Sequence, residues 1–148
     1  MLNVSWDPVL IALSYLVAFI ASFVALDSAG KIPLSSRKAA IFWRIAGGCT
    51  LGIGIWSMHF IGMLSMKMPV MMSYDLWLTL ASLGISVLAS TLAINIAVSG
   101  KSLSRFRLLF ATLILSAGVV YMHYVGMTAL LLNGSIVWDR RIVALSIA

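Results

Sequence analysis

The chain has 148 residues, 62% of them hydrophobic and 9% charged, with a net charge of +6. A mean hydropathy of +1.09 excludes a soluble globular domain, because so few charged side chains cannot clothe a surface of this size. The Lys and Arg excess would suggest nucleic acid in a soluble protein. Here it is spread through loops between apolar runs, with no block of about five or six like charges, so no nucleic-acid partner is expected.

Met1 to Pro8 contains Asp7 and no Lys or Arg, so a cleavable signal peptide is not expected. Spanning helices are expected at Pro8–Leu26, Ile41–Ser65, Leu76–Val98 and Phe106–Leu132, each near or above the ~20 residues a bilayer requires. A fifth apolar run opens at Ile142 and reaches Ala148, too short for a ~30 Å hydrocarbon core, as in a fragment of a longer protein. The expected fold class is all-α: a polytopic transmembrane helix bundle of four full spans plus the start of a fifth, forming one domain over residues 1–148.

Loop charge sets the expected orientation. Lys31, Arg37 and Lys38 lie between the first two spans, and Lys101 and Arg105 between the third and fourth, with Arg44 and Arg107 just inside the following spans. Only Lys67 lies between the second and third; Asp139, Arg140 and Arg141 follow the fourth. Basic loops stay in the cytoplasm, which places the N-terminus outside.

An internal repeat underlies the layout. One register carries Gly54 onto Gly118, His59 onto His123, Gly62 onto Gly126, Asp75 onto Asp139 and Ser82 onto Ser146. A second carries Trp6-Asp7 onto Tyr74-Asp75, and Ser14, Ala21 and Ser22 onto Ser82, Ala89 and Ser90. The repeated unit is a helix pair: aromatic-Asp, helix, basic loop, helix, Met-His-aromatic.

His59 and His123 are the only histidines, and each stands in the same phrase: Met58-His59-Phe60-Ile61-Gly62-Met63 and Met122-His123-Tyr124-Val125-Gly126-Met127. An imidazole at membrane depth loses its hydration and requires a partner. Beyond Met1, every methionine lies in or shortly after one of these phrases: Met58, Met63, Met66, Met68, Met71 and Met72 with the first, Met122 and Met127 with the second. Core filler would scatter over all the helices. Thioethers suit Cu(I), and imidazole suits Cu, Zn, Fe and Ni, so His59 and His123 with Met58, Met63, Met122 and Met127 form a candidate copper site. The competing reading is that the histidines only hydrogen-bond helix to helix.

Other features have plainer readings. Gly48 and Gly52 form a small-xxx-small pair for helix packing, and Gly62 and Gly126 admit either a neighbouring helix or a ligand. Trp6-Asp7, Tyr74-Asp75 and Trp138-Asp139 read as interfacial aromatics and helix caps; alternatively, an Asp accepts from a ligand imidazole and fixes its tautomer. Cys49, alone, is a small core residue away from the His-Met cluster, and Asp27 and Asn95 are helix-end polar groups. No nucleophile with its base, carboxylate pair, phosphate loop or paired-Cys motif is present, so no catalytic residue is assigned.

The two Met-His phrases, the Gly-Ile-Gly-Ile-Trp-Ser lead into His59, the aromatic-Asp starts and Ala-Leu-Asp-Ser-Ala-Gly at Ala25–Gly30 together resemble the MHYT family, a bacterial integral-membrane sensor domain. The resemblance covers the whole chain. It implies six or more helices with three phrases at the outer face. It also implies copper binding, sensing of a diatomic gas (oxygen, carbon monoxide or nitric oxide) or of redox state, and cytoplasmic output through cyclase, phosphodiesterase, kinase or DNA-binding domains. Two departures stand: Ile61 and Val125 replace the Thr of the family phrase, and a third phrase is not within these residues. The leading expectation is a non-enzymatic copper-dependent sensor. The alternative is copper handling or transport, which requires polar ligands continuing across the bilayer.

Overall fold

A computed structural model describes residues 5–67, 72–100 and 104–132. In chain order these form β1 (Ser5–Trp6), α1 (Pro8–Lys31), a 3₁₀ turn at Ile32–Leu34, α2 (Arg37–Leu64), β2 (Met66–Lys67), β3 (Met72–Tyr74), α3 (Leu76–Ala97), α4 (Arg105–Thr128) and β4 (Leu130–Leu132). All four helices are long and apolar enough to cross a membrane, so the expected all-α multi-pass bundle stands. The expected start of a fifth span, the Trp138-Asp139 unit, and Met68 and Met71 lie outside the described residues.

The helix ends depart from the apolar runs for local reasons. α1 continues past Leu26 because Ser28 donates to the Val24 carbonyl at 2.8 Å and Lys31 pairs with Asp27 one turn back at 2.5 Å. Its apolar content ends before its hydrogen bonding does. α2 begins at Arg37, before the apolar run opens. α4 stops at Thr128, and Leu130–Leu132 is strand rather than helix, pairing with β3 in the register Tyr74↔Leu130, Ser73↔Leu131, Met72↔Leu132. An apolar run of Leu reads equally as buried helix or buried strand; here the open edge of β3 decides.

The repeat in sequence is a repeat in structure. β1 pairs with β2 (Ser5↔Lys67, Trp6↔Met66) as β3 pairs with β4. Each ribbon ties the start of one helix to the end of its partner. The Asp7 amide donates to Ser65 O at 2.8 Å, and the equivalent Asp75 amide donates to Ala129 O at 2.8 Å. The packing repeats too, with the Ala21 methyl against Gly54 and the Ala89 methyl against Gly118. Asp7 caps α1 by accepting from Val9 and Leu10, and Asp75 caps α3 by accepting from Leu78.

Each helix packs on the next, and α2 against α3 joins the two repeats. That seam is built from small residues. Ser82, Ser86 and Ser90 are at most 2% exposed, whereas Phe19, Phe23 and Leu88 are at least 67% exposed. Large apolar side chains therefore face outward and small ones inward. This is the arrangement expected when lipid is as apolar as Leu and helices are held by close contact and hydrogen bonds. Ser86 donates to Gly52 O at 2.8 Å and Trp56 Nε1 donates to Ser82 Oγ at 3.0 Å, both across the seam. A Cβ at Gly52 would stand 2.5 Å from Val87 Cα, so the backbones themselves are in contact there.

Two kinds of outcome are expected, the first from a pair of glycine substitutions. Gly52→Val should lower the thermal midpoint in detergent by an overpacking cost of about 1–3 kcal/mol. Gly84→Ala, where a Cβ meets nothing within 4 Å, should be neutral or stabilising by up to about 1 kcal/mol. The second outcome concerns Asp7, just before α1. Its carboxyl is held below the ordinary 3.8 by the Lys67 ammonium, 3.0 Å away, and by the Val9 and Leu10 amides. A depressed carboxylate pKa contributes stability above its unfolded value, lost as pH falls through the folded one. Melting followed between about pH 5 and pH 2 should therefore show an acid-side loss that Asp7→Asn abolishes.

Candidate metal centre

His59 lies in the last two turns of α2 and His123 at the equivalent place in α4. These helices are not sequential neighbours, and they meet only over a short stretch where the rings converge. Nδ1 of His123 stands 3.4 Å from Nδ1 of His59, with ring centroids 4.9 Å apart and planes inclined at 73°. Nδ1 atoms facing each other can share one proton in a hydrogen bond, or both can turn lone pairs to one cation.

Glycine permits the approach. A Cβ at Gly126 would stand 3.0 Å from His59 Nε2 and 3.5 Å from Phe60 Cζ, so a side chain there would press on the imidazole. Gly62 behaves differently: nothing lies within 4 Å of where its Cβ would be, and it floors a cavity. The two equivalent glycines thus divide the two roles open to them, one admitting a helix and the other leaving space. Nε2 of His59 is buried and has no hydrogen-bond partner among the described residues.

Two cavities flank the ring pair. The larger, about 450 Å³, is lined by residues of α1, α2, α4 and the β1–β2 ribbon, including Met58, Met63, Met66 and Met127. The smaller, about 300 Å³, lies against Val119 and Val120 and includes Met58 and Met122. His59, His123 and Met58 border both. All four flanking methionines therefore line a cavity shared with both imidazoles, and Met63 and Met122 are buried. Cys49 borders neither cavity. Among the described residues no group of three or more His, Cys, Asp or Glu gathers; the cavities beside the imidazole pair are lined by the thioether side chains of Met58, Met63, Met66, Met122 and Met127.

Among the described residues, the aromatic-Asp units Trp6-Asp7 and Tyr74-Asp75 cap helices and do not orient His59. Asp7 is engaged by Lys67 and its cap amides, Asp75 accepts from Leu78, and His59 Nε2 has no partner among the described residues. The aromatic residues instead wall the site. Phe60 contacts His59 at 5.2 Å, Trp56 at 4.7 Å and Tyr74 at 5.6 Å between centroids. Burial raises the Tyr74 hydroxyl above its ordinary pKa of 10.0. Trp6, Ile11, Ser14 and Tyr15 from the chain's start also line the larger cavity, a contribution not foreseen from sequence. The pairing of Ser14 with Ser82 in the repeat was the one available signal, since both are buried and donate to the carbonyl three residues back at 2.7 Å.

The family described as MHYT, bacterial signalling protein N terminal repeat, matches twice, over residues 52–111 and 117–148. The chain is 44% identical over 99% of its length to the bifunctional diguanylate cyclase/cyclic di-GMP phosphodiesterase MucR of Pseudomonas aeruginosa. It is 36% identical over 87% to the signaling protein YkoW of Bacillus subtilis, and 34% identical over 98% to the cyclic di-GMP phosphodiesterase NbdA of P. aeruginosa. It spans only 21%, 16% and 18% of those proteins, respectively. No solved structure matches. With two repeats matched and the relatives aligned along nearly the whole chain, these membrane-spanning helix pairs belong to the MHYT family, a sensory domain of bacterial signalling proteins.

Proposed function

We propose that this chain is the copper-dependent sensing part of a larger signalling protein. His59 and His123 would hold the ion, with thioether donors drawn from Met58, Met63, Met122 and Met127. The observation that carries this reading is the 3.4 Å between the two Nδ1 atoms. Two nitrogens each about 2.0–2.1 Å from one tetrahedral ion stand about 3.3–3.4 Å apart. The donor set supports the same reading, since neutral imidazole and thioether favour Cu(I) over Zn or Mg. Bound copper supplies one-electron redox chemistry and an affinity for oxygen, carbon monoxide or nitric oxide.

The protein's own groups do the rest. With both rings in the Nε2–H tautomer both Nδ1 lone pairs would face the ion, so uptake would require one ring to move its proton from Nδ1 to Nε2. Apolar walls keep water from the pair. Met58, bordering both cavities, is placed to exchange one neighbour for another. His59 and His123 stand where α4 meets α2 at Gly126, so a change in what the two rings hold would bear on the spacing of these helices, a small displacement of the kind packed bundles transmit. Transport fits less well, because among the described residues the buried Ser82 and Ser86 of the α2–α3 seam are committed to pairing the helices.

The signal leaves through a cytoplasmic output domain outside this chain, and any catalysis belongs to that domain. Cyclic di-GMP turnover, named for MucR and NbdA, is the proposed output chemistry. The proposed orientation in the bacterial plasma membrane puts the histidine end outside. Lys31, Arg37, Lys38, Arg105 and Arg107 gather at the opposite end, and only Lys67 is basic at this one among the described residues. In a Cys49→Ser background, Ser5→Cys should be labelled by a membrane-impermeant thiol reagent in intact cells and Ser35→Cys should not; the reverse pattern overturns the orientation.

Metal analysis of purified protein tests the site. The His59→Ala/His123→Ala double variant should bind copper at least about tenfold more weakly than the native chain. Gly126→Val should weaken binding too, by pressing on His59, while Gly62→Val should do so less. Equal, low copper in native and double variant means that the histidines only join helices.

A further inference from the structure

Met66 stands outside both Met-His phrases, on β2, where it pairs with Trp6 of β1. The backbone on either side of it is anchored. Ser65 O accepts from the Asp7 amide at 2.8 Å, the Ser65 hydroxyl donates to Gly62 O at 2.6 Å, and the Lys67 ammonium is 3.0 Å from the Asp7 carboxylate. Met66 is half-buried, and it lines the larger cavity together with His59, His123, Met58, Met63 and Met127. Of these methionines it alone is carried by a ribbon rather than by a helix.

The repeat supplies an internal comparison. The register that carries His59 onto His123 carries Met66 onto Leu130. The two positions have the same backbone role: Leu130 pairs with Tyr74 as Met66 pairs with Trp6, and each follows the residue whose carbonyl accepts an Asp amide. Their surroundings differ. Leu130 is 6% exposed and lines neither cavity beside the imidazoles. The strand position is therefore filled by Leu where it only packs, and by a thioether where it borders the rings. The phrases show no such difference, since Met58 and Met63 have Met122 and Met127 as their equivalents.

We propose that Met66 is a further thioether donor to the ion held by His59 and His123, and that Cu(I) binding thereby fastens the β1–β2 ribbon to the ends of α2 and α4. This role rests on the copper reading above. Thioether sulfur is a soft donor that selects Cu(I). The other candidate donors lie on α2 and α4, whereas Met66 lies beyond the end of the α2 span, in a segment held by a few hydrogen bonds and one ion pair. A tie made through sulfur weakens when the ion is Cu(II), so the ribbon responds to the oxidation state of the ion as well as to its presence.

Met66→Leu tests this with little change of volume, and Leu130 shows that the strand position accepts that side chain. Competition of the purified full chain with a chromogenic Cu(I) chelator should show Cu(I) held at least about tenfold more weakly by Met66→Leu than by the native chain, the scale on which even outer-shell partners act. X-ray absorption of the Cu(I)-loaded variant should show fewer sulfur neighbours per copper, and Leu130→Met should change neither quantity. Hydrogen exchange read by mass spectrometry adds a measure that a packing role would not move. Cu(I) should slow exchange over residues 5–7 and 65–67 of the native chain and leave it unchanged in Met66→Leu. Native affinity and sulfur count in Met66→Leu overturn the proposal and leave the histidine site standing. So does equal protection of the ribbon by Cu(I) in the two proteins. A native chain that binds no copper overturns this role together with the copper reading, which tells the two failures apart.

Discussion

Close contact between helix backbones is the constraint from which the rest of the structure follows. Within lipid there is no gain in hiding Leu from water, so the helices associate only where small side chains let them touch. In the α2–α3 seam, Gly52 meets Val87 and Ser86 almost backbone to backbone, with the Ser86 and Trp56 hydrogen bonds crossing beside it. Because α4 in turn packs on α3, this seam sets how far α4 stands from α2, and so where His123 ends relative to His59. The imidazole pair is a consequence of spacing established several turns away.

Duplication supplies the second constraint. Each helix pair is closed at the histidine end by a short ribbon and by the same amide-to-carbonyl bond, from Asp7 to Ser65 and from Asp75 to Ala129. A unit so closed carries its Met-His phrase at a constant height. Two such units side by side bring two phrases to one level without any long-range instruction in the sequence. Equivalent residues then diverge where the units meet: Gly126 faces a ring and Gly62 faces a cavity, because α4 lies at the edge of this set of helices and α2 lies inside it.

The imidazoles stand between two cavities, share Met58 as a neighbour on both sides, and have little charge about them. The ribbon whose Trp6 and Met66 line the larger cavity is also the clasp that closes the first helix pair. One wall of the cavity and the closure of the repeat are therefore held by the same few hydrogen bonds and one ion pair.

Sequence alone was enough for the class, the four spans, the helix pair as repeating unit and the identity of the two histidines. Each of these is written in local quantities: run length, composition, and recurrence of rare residues in register. The packing role of Gly48 and Gly52 and the capping role of Asp7 and Asp75 were legible for the same reason. The short ribbons were not, because a two- or three-residue strand exists only through its partner; Leu130–Leu132 continues an apolar run and becomes strand solely by meeting β3. The separate roles of Gly62 and Gly126, the wall contributed by Trp6, Ile11 and Tyr15, and the 3.4 Å between the rings were likewise decided only in three dimensions. They depend on which helix lies beside which, and a periodic pattern along one helix carries no information about its neighbour.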